Sequence, residues 1–446
     1  MARIAPFRGR RYSSNYSSLL PLLIPPPGDI VPLQEQDRYL RMHEYNFMNL
    51  IHSQTGVANR PLDAAKTFDR WCREGIMGRD PEPAIYLYQI DYSLDEQGPQ
   101  LSRTGFISLL KLQDYNTGVI RPHELTFSAV KKERLEFIRS CEANLSLIFT
   151  FYDDPGQEVG QALWQAAPSR PVMEFVDLAG FSHRLWLVSD PQAHQRVARL
   201  LADKPVYIAD GHHRYETCIA HRDQMRQRYP DYDEEASFNY TLIYAAALQD
   251  SGMAILPFHR LIRKRPGFDR ARFLDAAAEF FEIRTPPLAP DSTAARREFQ
   301  ALLAAEAKTG QALGFLTSDS DCLGLLILKP GALSQLDLHP SLRDLDVVVL
   351  DEIVLRCCLG MEEGDRDDEK NFSYEASLDK AVQRVQAGEA QFCFLLNPTK
   401  VEQVKAVADA GLFMPRKSTH FYPKAASGLV VNRIIPDELV TDPLAD

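Results

Sequence analysis

With 446 residues, 45% of them hydrophobic and 25% charged, the chain has the composition of an ordinary globular protein and is long enough for two or three packed subdomains. Its formal net charge of −11 argues against a nucleic-acid-binding surface, because phosphate backbones demand a basic face. No stretch approaches the roughly 20 uncharged apolar residues that span a bilayer, and seven scattered cysteines without a C-x-x-C spacing fit reduced thiols, so a soluble, cytoplasmic protein is expected.

In chain order, Arg3, Arg8, Arg10 and Arg11 precede an apolar run, Leu19 to Pro27, that is too short and proline-rich for a secretory signal, and the segment is read as mature structure. Pro6 to Tyr12 and Ile24 to Ile30 read as proline-punctuated coil. Leu62 to Arg73 has helical spacing. Ala84 to Tyr92 and Gly105 to Leu112 alternate as strands, and the short polar turn between them, Asp95 to Gly98, predicts an antiparallel hairpin. A helix is expected over Ala129 to Cys141 and a buried strand over Leu145 to Tyr152. Arg184 to Val188 follows as a strand, Gln192 to Leu201 as a helix, and Val206 to Ala209 as a short strand feeding a long helix from Gly211 to Tyr229. Phe238 to Leu248 is another strand.

From Phe268 to Ala307 the pattern is helical, followed by strands at Gly314 to Thr317 and Leu323 to Leu328 and an apolar helix over Asp346 to Leu359. The charged run Glu362 to Lys370 predicts a solvated loop. Leu378 to Gln386 and Lys400 to Ala410 read as helices, Gln391 to Leu396 and Gly428 to Ile435 as strands. The mixture predicts an α/β (α+β mixed) fold with a mixed sheet. It divides into an irregular to helical segment over residues 1–80, an α/β core over 81–264 and a C-terminal α/β subdomain over 265–446.

Three constellations carry chemistry. The first is Asp210-Gly211-His212-His213-Arg214, where a short strand turns directly into a helix. Asp210 is expected to cap that helix, Gly211 to permit a tight turn, and the first-turn amides with the helix dipole to favour an anion, joined by donors from His212, His213 and Arg214. The alternative is purely structural: a cap, two histidines on nearby carbonyls and a salt bridge. A metal reading pairs His212 with Glu216 at i,i+4 but lacks a third ligand at diagnostic spacing.

The second is Arg121 to Thr126, in which Glu124 beside His123 is a candidate general base ahead of a basic helix with Lys131, Lys132 and Arg134; the alternative is a capping carboxylate. The third is Met414 to Lys424, where Arg416, Lys417, Ser418, Thr419 and Lys424 form a basic, hydroxyl-bearing loop suited to a polyphosphate, although no P-loop spacing is present. Asn397 and Asp153-Asp154, at strand ends, are candidates to orient a ligand or Mg²⁺, with turn chemistry as the alternative.

The motifs PFRGRRY, GVIRPHELT, ANLSLIFTFYDDP, ADGHHRYET, LNPT and MPRKSTHFYPK, in that order, resemble the bacterial family called domain of unknown function 1015. That family tends to show Pro-Pro-Tyr-Asp near its N-terminus, where this chain has Pro26-Pro27-Gly28-Asp29, and the acidic segment at 362–370 has no counterpart in its pattern. More distantly, the strand-DGHHR-helix turn is similar to the ParB/sulfiredoxin-like superfamily, which includes free-serine kinases. That resemblance implies phosphate contacts from Asp210, Gly211, His212, His213 and Arg214. It further implies ATP or ADP with Mg²⁺ near Asp210 or Asp153, a small hydroxyl substrate such as serine, and Glu124 as base. The expected function is a small-molecule phosphotransferase, running as a serine kinase or in reverse as a phosphoserine dephosphorylating reaction. Two alternatives stand beside it: a non-enzymatic nucleotide-binding regulator, and a metal-dependent hydrolase using His212, His213 and Glu216.

Overall fold

The computed structural model describes residues 1–28, 30–52, 60–94, 98–126, 128–263, 267–334, 336–368 and 370–444. The chain has a mixed α/β fold and forms two compact units: residues 1–122, 126–253 and 423–446 in one, residues 123–125 and 254–422 in the other. This differs from a three-way division. Residues 1–80 share a unit with the following core, the last two dozen residues return to it, and the expected boundary at 265 lies outside the described residues.

In the first unit the strands of the main sheet are β1 (Ile4–Ala5), β2 (Ile85–Ser93), β3 (Gln100–Lys111), β4 (Ile120–Arg121), β5 (Ile148–Tyr152), β6 (Met173–Val176), β7 (Ser182–Val188), β8 (Val206–Asp210) and β9 (Tyr240–Ala247). They form one sheet in the order β4-β8-β5-β9-β3-β2-β7-β6, with β1 added on β3. β2 and β3 pair as the antiparallel hairpin, in register from Tyr86 opposite Ile107 to Ser93 opposite Gln100; most of its turn, 95–97, lies outside the described residues. Parallel pairs occur between β8 and β4 and between β9 and β5, so the sheet is mixed.

Helices α1 (Arg60–Arg73), α2 (Ser128–Cys141), α3 (Glu158–Ala166), α4 (Pro191–Ala202) and α5 (His212–Arg228) accompany the sheet. α4 starts on Asp190, whose carboxylate accepts the Gln192 amide, with Pro191 at the first helical position where its missing N–H costs nothing. Tyr215 and Cys218 of α5 lie on one face at i,i+3 and pack into the same core as Val206, Ile208, Ile148 and Ile243. Each fully buried apolar side chain of that kind contributes about 1.5–3 kcal/mol, so this packing, rather than a capping side chain, sets where α5 lies against β8.

The second unit holds β10 (His259–Ile262), α6 (Arg270–Phe280), β11 (Phe281–Arg284), α7 (Thr293–Glu306), β12 (Ala312–Thr317), β13 (Gly324–Leu328), β14 (Phe372–Glu375), α8 (Leu378–Gln386), β15 (Phe392–Leu395) and α9 (Val401–Asp409). Its sheet is antiparallel throughout, in the order β11-β13-β12-β15-β10-β14. Phe299 and Leu303 of α7 and Ala381, Val382 and Val385 of α8 form a core with Leu316, Leu325 and Leu395.

Several elements depart from the sequence reading. Arg10–Tyr12 is not coil but a strand paired with Met77–Arg79, because the partner that satisfies its backbone lies far along the chain. The helical stretch 268–307 is broken by β11, whose alternation of buried and exposed residues is masked by helical patterns on both sides. Asp346 to Leu359 begins as an α-helix over Asp346–Val349 and continues as a π-helix over Leu350–Cys358. The run 362–370 carries a short helix, Glu363–Asp367, with Glu369 outside the described residues. The last strand shrinks to Asn432–Arg433, paired with Ala143–Asn144, and Val431 before it forms an isolated antiparallel bridge with Arg10, so the segment changes partner along its length.

Candidate functional site

The turn from β8 to α5 is built on Gly211, which has φ 98°, a left-handed conformation that glycine adopts without steric cost. A Cβ there would also stand 2.8 Å from Arg214 Nε, because the guanidinium lies over the Gly211 backbone. Gly211 itself is the cap of α5, and no side chain caps the helix. Asp210 therefore does not play the expected capping role. Gly211 turns the chain so that the carboxylate meets cations instead of the first-turn amides.

Asp210 Oδ2 accepts from Arg214 Nη2 at 2.5 Å, and Oδ1 accepts from Lys424 Nζ. Arg214 Nη1 also donates to the Leu147 carbonyl at 2.6 Å. Burial works to raise the Asp210 pKa, but Lys424, Arg214 and the hydrogen bond from Lys424 outweigh it, helped by His212, and hold the carboxyl well below the usual carboxylate range. The Lys424 and Arg214 side chains are only 10% and 11% exposed, so two largely desolvated cations share one carboxylate. Two cations placed at a helix N-terminus suit an anion.

Both Asp210 oxygens face cations, so Asp210 acts as their counterion and does not fit a Mg²⁺ ligand. His212 is buried beside it, while Glu216 turns away to Lys131 at 2.7 Å and to the Thr126 hydroxyl at 2.6 Å. Among the described residues no group of three or more His, Cys, Asp or Glu side chains is placed to hold a metal ion, which removes the support for a His212, His213 and Glu216 centre. Asp153 Oδ1 accepts the Gln249 amide at 2.5 Å, and buried Asp154 pairs with Lys204 at 3.0 Å and caps the Val159 amide, the structural alternative for that pair.

The remaining candidates lie in the second unit. His123 Nε2 is 3.0 Å from Thr419 Oγ1, and its carbonyl accepts the Met414 amide, so the basic loop is tied to residues 123–125 at two points. Ser418 is buried, donates to the Pro415 carbonyl, and accepts the Thr399 hydroxyl on its own carbonyl at 3.0 Å. Lys417 is exposed, has φ 54°, and stands over the Phe258 ring at 5.8 Å. The Arg416 carbonyl accepts from Arg260 at 2.8 Å. Asn397 donates to Asp346 Oδ2 at 3.0 Å and to the Ala312 carbonyl, a structural arrangement that joins it to none of the basic side chains. Glu124 belongs to the same unit. The run Arg416 to Lys424, read as one loop, is thus divided: Arg416, Lys417, Ser418 and Thr419 stay in the second unit, and Lys424 joins Asp210 in the first.

Sequence reading missed Arg103, which is fully buried on β3 and donates to the Pro423 carbonyl at 2.6 Å, one residue before Lys424. Its signal was an arginine just ahead of the apolar run Gly105 to Ile107 of a largely buried strand. The Ala426 backbone, two residues after Lys424, lies near the Tyr88 hydroxyl on the neighbouring strand and works against the burial that raises its pKa.

No curated protein sequence matches the chain. Among solved structures it is similar to a free serine kinase in complex with AMP, at 13% identity and a TM-score of 0.32, over 70% of this chain and 89% of that one. It is also similar to a conserved hypothetical protein from Pyrococcus furiosus, at 14% identity and a TM-score of 0.32, over 73% and 93%. SbnI from Staphylococcus aureus, with a C-terminal truncation, matches at 9% identity and a TM-score of 0.33, over 74% and 90%. No helix among the described residues is long and apolar enough to cross a membrane. The profile of the family described as protein of unknown function (DUF1015) matches residues 4–348, well over half of the chain, and the chain belongs to that family.

Proposed function

We propose that the first unit binds the phosphates of a nucleotide, ATP or ADP, at the β8–α5 turn, and that the protein is a small-molecule phosphotransferase. The observation that carries the reading is the pairing of Lys424 and Arg214 on a single carboxylate, Asp210, at the start of a helix. A phosphate replaces water on the outer faces of both cations, with charge-assisted hydrogen bonds that hold it in one orientation. Phosphoryl transfer asks a protein chiefly for such positioning and neutralisation. In the transfer step the bond from the terminal phosphorus to the bridging oxygen breaks as the bond to a substrate hydroxyl oxygen forms. The hydroxyl proton passes to a general base, and the shortened nucleotide leaves.

Calorimetry with ADP, ATP and pyrophosphate on the wild type and on Lys424→Met tests the phosphate site. Charge-assisted hydrogen bonds are worth about 1.5–3 kcal/mol, so the variant is expected to bind all three roughly tenfold or more weakly. Equal affinities, or no binding by the wild type, would overturn the reading. Phosphate transfer from ATP to a small hydroxyl substrate such as serine separates an enzyme from a nucleotide-binding regulator, since a regulator binds the nucleotide without transferring its phosphate.

A further inference from the structure

A cavity of about 180 Å³ adjoins the turn within the first unit. Arg214 lines it, so one guanidinium borders both the cavity and the Asp210 carboxylate. Arg214 Nη1 bonds the carbonyl of Leu147, the residue after Ser146 of the cavity wall. A ligand whose anionic end occupies the turn therefore has this cavity as the adjacent space for the rest of its body.

The wall chemistry narrows that body. Phe137 of α2 supplies an aromatic ring and Cys218, one turn along α5 from Arg214, an apolar floor whose thiol burial pushes up to about 11, so it stays protonated. His52 contributes an imidazole that burial and Arg60 pull down to about 4, neutral at physiological pH, with a buried Nδ1 that has no hydrogen-bond partner among the described residues. Ser146 adds a hydroxyl, and of the charged wall residues besides Arg214, Glu133 and Arg134 are opposite in sign. Neutral donors and acceptors set in an apolar, ring-bearing wall suit an uncharged planar heterocycle better than a charged or polyhydroxylated group. An apolar cavity of about 150 Å³ already admits benzene, so the space is on the scale of a purine.

We propose that this cavity receives the base of the nucleotide whose phosphates occupy the β8–α5 turn, an inference that rests on the phosphate-binding reading above. Specificity for a nucleotide over a bare polyphosphate then resides in the cavity, and Arg214 joins the two halves of the site.

The test compares ADP with pyrophosphate by calorimetry on the wild type and on Ser146→Trp, which fills the cavity from a half-buried position. The wild type is expected to bind ADP at least tenfold more tightly than pyrophosphate. Ser146→Trp is expected to lose that preference while keeping its pyrophosphate affinity within about twofold. Failure of the wild type to bind pyrophosphate would count against the phosphate site. Pyrophosphate binding with an ADP preference that survives Ser146→Trp would overturn the cavity inference alone. Should Ser146→Trp not fold, the wild-type ratio decides, since ADP and pyrophosphate binding equally overturns it.

Discussion

Gly211 carries two constraints at once: its left-handed φ and the guanidinium of Arg214 lying against its Cα. Gly211→Ala meets both, with a backbone cost of about 1–3 kcal/mol, and the new methyl displaces the guanidinium from Asp210. The expected outcome is a lowered melting temperature together with weakened pyrophosphate binding, measured by thermal denaturation with and without ligand; a variant unchanged in both would show that the turn does not depend on this glycine. Asp210 is the opposite case, a residue whose type was read correctly and whose partner was not. Its candidacy as a cap followed from its position before a helix, yet Lys424, 214 residues away in sequence, is what it holds.

At the scale of elements, the segment carrying Lys424 is fixed from β2 and β3. Asp177 accepts from His183 Nε2 at 3.2 Å, which leaves Nδ1 as an acceptor for the Tyr88 hydroxyl at 2.7 Å, and the Ala426 backbone lies near that hydroxyl. Arg103 grips the Pro423 carbonyl from β3. Tyr88→Phe leaves the His183 Nδ1 without this partner, at a cost of about 1–3 kcal/mol. It is expected to weaken pyrophosphate binding several-fold by loosening Lys424, although Tyr88 itself touches neither Asp210 nor Arg214. Calorimetry and thermal melts on the same variant check it, and stability lost at unchanged affinity would confine Tyr88 to a structural role. The π-helix at Leu350–Cys358 was invisible to periodicity, because a wider helical turn shifts the apolar spacing only slightly over nine residues.

Across the whole molecule, buried imidazoles set an acid limit. His221 in the first unit and His259 in the second are each lowered to about 4 by burial, His221 further by Arg139, and His259 Nδ1 accepts the Leu396 amide. An unfolded histidine takes up a proton near pH 6.5, whereas these remain neutral when folded, so unfolding binds protons and stability falls as pH drops from about 6.5 toward 4. The slope is up to about 1.4 kcal/mol per pH unit for each residue. His221→Gln is expected to flatten the fall in melting temperature between pH 6.5 and 4.5, and an unaltered profile would place the acid sensitivity elsewhere. Asp346 runs the other way: burial raises it to about 6, so its contribution is present at low pH and lost as pH rises through 6. Asp346→Asn is expected to stabilise the second unit at pH 8 by on the order of 1–3 kcal/mol and to change little at pH 4, as thermal melts at the two pH values would show.

The sequence by itself determined the mixed α/β class, the hairpin of β2 and β3, the long helix after β8 and the glycine turn between them. Those features rest on local periodicity and backbone sterics, which a window of residues contains in full. Tertiary structure alone decided that Asp210 binds Lys424 and Arg214 instead of capping α5, and that Lys424 parts from Arg416 to Thr419 to join the other unit. It also decided that Glu216 serves Lys131, away from the histidines. Ion pairs and cavities form between residues far apart in the chain, and no local pattern encodes which distant cation will meet a given carboxylate.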